Sequence, residues 1–94
     1  MFNVLHIKNV KLKIGELVKI LRKRENMSQH DLAEKLGLSR YTITNLESGQ
    51  NATLDTLLKV LQYFEVLESF QDMLINQIDN NSYESLYWLC YGKE

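Results

Sequence analysis

The stretch Ser28-Gln-His-Asp-Leu-Ala-Glu-Lys-Leu-Gly-Leu-Ser-Arg-Tyr-Thr-Ile-Thr-Asn-Leu-Glu-Ser-Gly49 decides how the rest of the chain is read. It predicts two short helices joined by a tight turn. Ser28 is a hydroxyl acceptor placed to cap a helix beginning at Gln29, and Asp31 three residues on can reach back to the cap, an acidic variant of the capping box. Leu32, Ala33 and Leu36 make one narrow apolar stripe, in which Ala33 is small enough for another helix to approach closely. Gly37 stops this helix, because a glycine adopts the left-handed conformation past a helix end without steric cost. Leu38 plugs the turn, and Ser39 caps the next helix.

In that next helix Ile43 and Leu46 point one way. Arg40, Tyr41, Thr44, Asn45 and Ser48 point the other, a face made entirely of hydrogen-bonding groups, and Gly49 closes the helix. Base edges in the DNA major groove present donors, acceptors and the thymine methyl, so a helix that enters the groove needs such a face near its N-terminal end. The pattern Ser-Gln-x-x-Leu-Ala-x-x-Leu-Gly-Leu-Ser-x-x-x-Ile-x-x-Leu-Glu-x-Gly resembles the lambda-repressor and Cro family of helix-turn-helix proteins, also called the xenobiotic-response-element family. The resemblance covers about Ile14 to Phe70.

The resemblance implies an all-α, five-helix lambda-repressor-like DNA-binding domain over 11–79, with a short N-terminal arm. It implies a sequence-specific transcriptional regulator working as a dimeric repressor on double-stranded DNA, without a cofactor. Matched residue by residue, Arg40, Tyr41 and Asn45 fall on the family's base-reading positions, with Thr44 beside them. Arg40 suits guanine N7 and O6, and Asn45 suits adenine N6 and N7. Tyr41 departs from the small amides common at its place, and either packs on a thymine methyl or reaches a phosphate. Gln29 matches a glutamine that contacts a phosphate and braces the recognition helix. Thr42, Ser48 and Gln50 are expected on the DNA backbone. Arg22 and Glu47 match a family salt bridge that ties the first helix to the end of the recognition helix.

Outward from this core the signals weaken. The first helix is expected to start between Asn9 and Lys13 and to end near Asn26, burying Leu12 or Ile14, then Leu17, Val18 and Leu21, with Gly15 near its start. Across residues 1–13, Phe2, Val4, Leu5, Ile7, Val10 and Leu12 fit neither alternation nor a helical stripe, and the stretch reads as a short strand or an arm. After Gly49, Thr53 caps a helix whose Leu54, Leu57, Leu58, Leu61 and Phe64 form a wide apolar face. A fifth helix is expected from about Leu67 to Ile78 on the stripe Leu67, Phe70, Leu74 and Ile78, with Met73 beside it. Asp79-Asn-Asn-Ser82 then reads as a turn cluster. Residues 80–94 form a C-terminal extension whose aromatics, Tyr83 to Tyr91, are expected to be covered by the same segment of a second copy. Helix and strand both remain open for it.

Composition agrees with a small intracellular domain. Ninety-four residues suffice for one core, and neither a membrane-length apolar run nor a signal core is present, so the protein is expected in the cytoplasm. The single cysteine, Cys90, and two scattered histidines offer no metal-ligand spacing, and the chain has no proline. Net charge is −1 overall, but residues 1–50 carry nine Lys or Arg against five Asp or Glu, and residues 51–94 two against seven. A basic front can meet phosphates while an acidic rear stays off the duplex. No catalytic arrangement of Ser, His and Asp, paired carboxylates or phosphate-cradling glycine loop is present, which argues against an enzyme; His30 reads as solvated. The alternative function is an antitoxin that binds operator DNA and neutralises a partner toxin through its terminal segments.

Overall fold

The structure is a computed structural model that describes residues 6–87, with side chains to residue 81. Five helices follow one another: α1 (Ile7–Arg24), α2 (Gln29–Leu36), α3 (Arg40–Glu47), α4 (Leu54–Tyr63) and α5 (Leu67–Tyr87). The chain divides into two compact units, the first ending at Phe64 and the second starting at Glu65.

In the first unit each of the three later helices starts on a hydroxyl cap. Ser28 Oγ accepts from the Asp31 N–H at 3.0 Å while Asp31 Oδ2 accepts from the Ser28 N–H at 3.0 Å, a complete capping box. Ser39 and Thr53 cap α3 and α4 through the N–H groups of Thr42 and Thr56. Gly37 ends α2 at φ 69°, and the Leu38 N–H turns back to the Ala33 carbonyl at 2.8 Å. That fixes the corner between α2 and α3 and seats Leu38 against the core.

The centre of the core is Val18, Leu32, Ile43 and Val60, all fully buried, with Ala33 and Leu46 around them. Each helix of the first unit thus contributes at least one residue, and partly buried Ile14, Met27, Leu36, Leu57, Tyr63 and Phe64 close the margins. Tyr63 and Phe64 meet edge to face, ring centroids 5.1 Å apart.

Several expectations need correction. The helix begins at Ile7, so Ile7 and Val10 lie on α1 and not on a strand or arm, while Phe2, Val4 and Leu5 fall outside the described residues. Consequently Gly15 sits well inside α1, fully buried. A Cβ there would overlap the Glu47 carbonyl oxygen and stand 2.8 Å from that of Leu46, so its value lies in letting α1 cross the end of α3 backbone to backbone. Leu17, expected in the buried stripe, keeps 42% of its surface, and of the alternatives Leu12 and Ile14 it is Ile14 that packs against the core, while Leu12 keeps 45%. Leu12 instead lies over Gly49, which ends the α3 turn at φ 78°. In α4 the outlier is Leu54, 67% exposed; the buried residues are Thr56, Val60 and Leu61. The rest of the expected face holds, with Leu61 buried and Leu57 and Phe64 packed against the core, and Val60 joins it at the centre of the core.

The second unit is α5. Its 21 residues run through Asp79, Asn80, Asn81 and Ser82 without a break, so the expected turn cluster is helical. Asn81 Nδ2 donates to the Gln77 carbonyl at 2.7 Å, one asparagine supporting the helix it was expected to end. Tyr83 and Tyr87 therefore extend the helix; Trp88, Leu89, Cys90 and Tyr91 lie outside the described residues.

Candidate nucleic-acid interface

Helix α3 carries the polar face, and two features hold it in place. Ile43 and Leu46 anchor it to the core. Behind its C-terminal turn, Arg22 of α1 grips Glu47 with a two-pronged fork, Nε to Oε2 at 2.6 Å and Nη2 to Oε1 at 2.9 Å, while Nη1 donates to the Met27 carbonyl at 2.7 Å. Both side chains are buried, so the pair resists screening by salt. Burial alone would push the Glu47 carboxyl up, but hydrogen bonds from Arg22 and Gln29 and the nearby positive charge outweigh it and hold the group below the usual carboxylate range. The hydrogen bonds that Arg22 donates to Glu47 in turn raise the guanidinium above its ordinary value.

From Glu47 the network continues outward. Gln29, the first residue of α2, donates its amide to Glu47 Oε1 at 3.0 Å and accepts from the Thr44 hydroxyl at 2.8 Å. One glutamine thereby links the buried ion pair to the exposed face of α3, and one of its two amide hydrogens stays free to meet an anion. Among the described residues, every buried side-chain nitrogen and oxygen has a hydrogen-bond partner.

The residues singled out as readers share one surface. Arg40, Tyr41 and Thr44 are exposed, Tyr41 by 73%, and Asn45 is half-buried on the same side. Thr42 and Ser48 sit differently. The Thr42 hydroxyl is paired with that of the cap Ser39 at 2.8 Å, and the Ser48 hydroxyl donates to the Asn45 carbonyl at 3.2 Å. Their polar atoms thus support the ends of α3. Gln50 is exposed just past the helix. His30 faces solvent, 3.8 Å from Glu34.

Sequence reading missed the neighbour of Gln50. Lys11 Nζ donates to Asn51 Oδ1 at 2.6 Å, and with Ile7 and Lys8 it forms a shallow basic groove against Gly49, Gln50 and Asn51. The three lysines Lys8, Lys11 and Lys13 were visible as charge, but only a helix that starts at Ile7 brings Lys8 and Lys11 beside the loop that follows α3.

Comparison with known proteins places relatives of this chain among helix-turn-helix proteins. The helix-turn-helix family profile fits residues 18–69. An HTH-type transcriptional regulator of Methanocaldococcus jannaschii is 36% identical over 63 residues, 66% of this chain and 92% of that protein. An HTH-type transcriptional regulatory protein of Methanoregula boonei is 42% identical over 57 residues, 58% of this chain but 18% of its own length, so the chain spans under a fifth of that relative. The antitoxin HipB of Escherichia coli K12 is 29% identical over 76 residues, 80% of this chain and 86% of the antitoxin.

Proposed function

The chain belongs to the Cro/C1-type helix-turn-helix family of DNA-binding transcription regulators, and from that premise we propose that it is a dimeric, cytoplasmic, sequence-specific repressor that binds and does not catalyse. The observation that carries this reading is the exposed polar face of α3, held on a core by a buried ion pair and a glutamine brace. A face so rigidly backed loses little entropy when it meets base edges. Arg40, Tyr41, Thr44 and Asn45 are its base readers, and Gln29, Thr42, Ser48 and Gln50 contact the phosphate backbone.

One short recognition helix touches few base pairs, so affinity and specificity require two copies on a pseudo-palindrome with half-sites about 34–36 Å apart. We place the dimer contact in the C-terminal segment 80–94 together with α5, whose Met73, Leu74, Ile75 and Ile78 keep between 44% and 58% of their surface. Selection of bound duplexes from a random pool tests the reading: a symmetric site is expected, and Arg40→Ala should cost about 1–3 kcal/mol of discrimination at one base pair per half-site. Failure to enrich any sequence overturns it.

The likeness to an antitoxin over most of both chains supports a second reading, in which the same DNA-binding unit also neutralises a toxin through its terminal segments. A neighbouring gene whose product arrests growth, and is silenced by co-expression with this chain, would favour it.

A further inference from the structure

We infer that Thr44 reads the exocyclic amino group of adenine or cytosine, in preference to the keto oxygen of guanine or thymine, at one base pair of each half-site. This rests on α3 being the helix that enters the major groove, and it adds the polarity of one of its contacts.

The cause lies in the order of donors and acceptors behind α3. Glu47 is ionised against Arg22, and a carboxylate only accepts. Gln29 must therefore turn its amide nitrogen toward Glu47 Oε1, 3.0 Å away, which leaves its carbonyl oxygen facing Thr44. A carbonyl oxygen also only accepts, so the proton in the 2.8 Å bond between Thr44 Oγ1 and Gln29 Oε1 belongs to Thr44. A hydroxyl has one proton and two lone pairs. With the proton held inward, the exposed side of Thr44 offers lone pairs and a methyl group.

Major-groove edges sort into two kinds against such a probe. Adenine N6 and cytosine N4 carry N–H donors, whereas thymine O4 and guanine O6 carry lone pairs that would face the lone pairs of Thr44. The paired hydroxyls of Ser39 and Thr42 differ in this respect, since either can donate to the other. Thr44 has no such freedom while Glu47 stays ionised.

The test uses the full chain and its selected operator, with every base pair of a half-site replaced in turn by the other three. The wild type should show one position where adenine or cytosine on one strand is favoured over guanine or thymine by roughly two- to ten-fold, the range of a single neutral hydrogen bond. Thr44→Val keeps the shape, loses the acceptor and should level that position while leaving the others unchanged. Thr44→Ser retains both the hydroxyl and its inward bond, and should keep the preference. Gln29→Ala releases the proton, so the penalty against guanine or thymine should fall at that position in addition to a general loss of affinity. A Thr44→Val profile with no altered position, a preference for thymine that reports contact with its methyl, or a Gln29→Ala profile with the full amino preference would each overturn the inference. A wild-type chain that binds no duplex overturns the DNA-binding proposal itself, which is a separate failure, and circular dichroism confirms that each variant is folded.

Discussion

Helices α2 and α5 both carry apolar residues at helical spacing, yet they end in opposite states. In α2, only eight residues long, Leu32 is wholly buried and Ala33 nearly so. In α5, 21 residues long, Met73, Leu74, Ile75 and Ile78 all stay about half exposed. Periodicity supplies a sticky face, but burial needs something of the right shape to meet it. Helix α2 lies in a core where Val18, Ile43 and Val60 are buried together with Leu32, whereas the apolar residues of α5, three of them consecutive, spread more widely around the helix. The buried core of the first unit is where stability resides, and α5 is where the proposed dimer contact is put to the test.

Four experiments would break or sharpen this contrast. The largest effect is expected from the closed side. Arg22→Leu leaves the buried Glu47 carboxylate without its partner and should cost about 3–5 kcal/mol in denaturant unfolding, since breaking a buried pair leaves an uncompensated charge. The same pair sets the acid limb of stability. Glu47 is held below its unfolded value, so its contribution is fully present above the ordinary carboxylate range and disappears as pH falls through the depressed value. Asp31, lowered mainly by the Ser28 backbone hydrogen bond, acts in the same direction. Arg22→Leu should flatten this acid loss, and an unchanged pH profile would show that Glu47 is not its source.

Next comes the open side. Leu74→Lys combined with Ile78→Lys should turn the proposed dimer into a monomer by sedimentation while the thermal transition of the first unit hardly moves. Operator affinity should then drop by a factor of about 10², because the gain from two linked half-sites is lost without touching a contact residue. A variant that stays dimeric would move the association surface elsewhere. A smaller loss should follow Gly15→Ala. Alanine gains about 1 kcal/mol of helix propensity. Against this, the new Cβ overlaps the Glu47 carbonyl, which as backbone cannot swing aside, and overpacking of this kind costs about 1–3 kcal/mol. The net change should be destabilising, and a more stable Gly15→Ala protein would mean that α1 and α3 are not held in contact there. The smallest effect belongs to Leu54→Gln, a leucine of the sequence stripe that is 67% exposed, which should stay within about 0.5 kcal/mol of the parent.

Sequence alone determined the features whose causes are local. Ser28, Asp31, Gly37, Ser39 and Thr53 act on backbone groups within four or five residues, so the starts of α2, α3 and α4 and the corner between α2 and α3 are legible in the sequence, whereas the uncapped start of α1 at Ile7 is not. The polar face of α3 was legible for the same reason, since a helix places Arg40, Tyr41, Thr44 and Asn45 opposite Ile43 and Leu46 by geometry alone. Tertiary structure decided what depends on how two helices cross. Periodicity sets directions around a helix's own axis, but the crossing point chooses which part of a stripe is covered, leaving Leu17 and Leu54 in solvent while Val60 is sealed. It also turned Gly15 into the point where α1 crosses α3, and set Gln29 between Glu47 and Thr44, residues that lie 18 and 15 positions away in the chain. Such relations depend on distance in space, and no local pattern of residues encodes that distance.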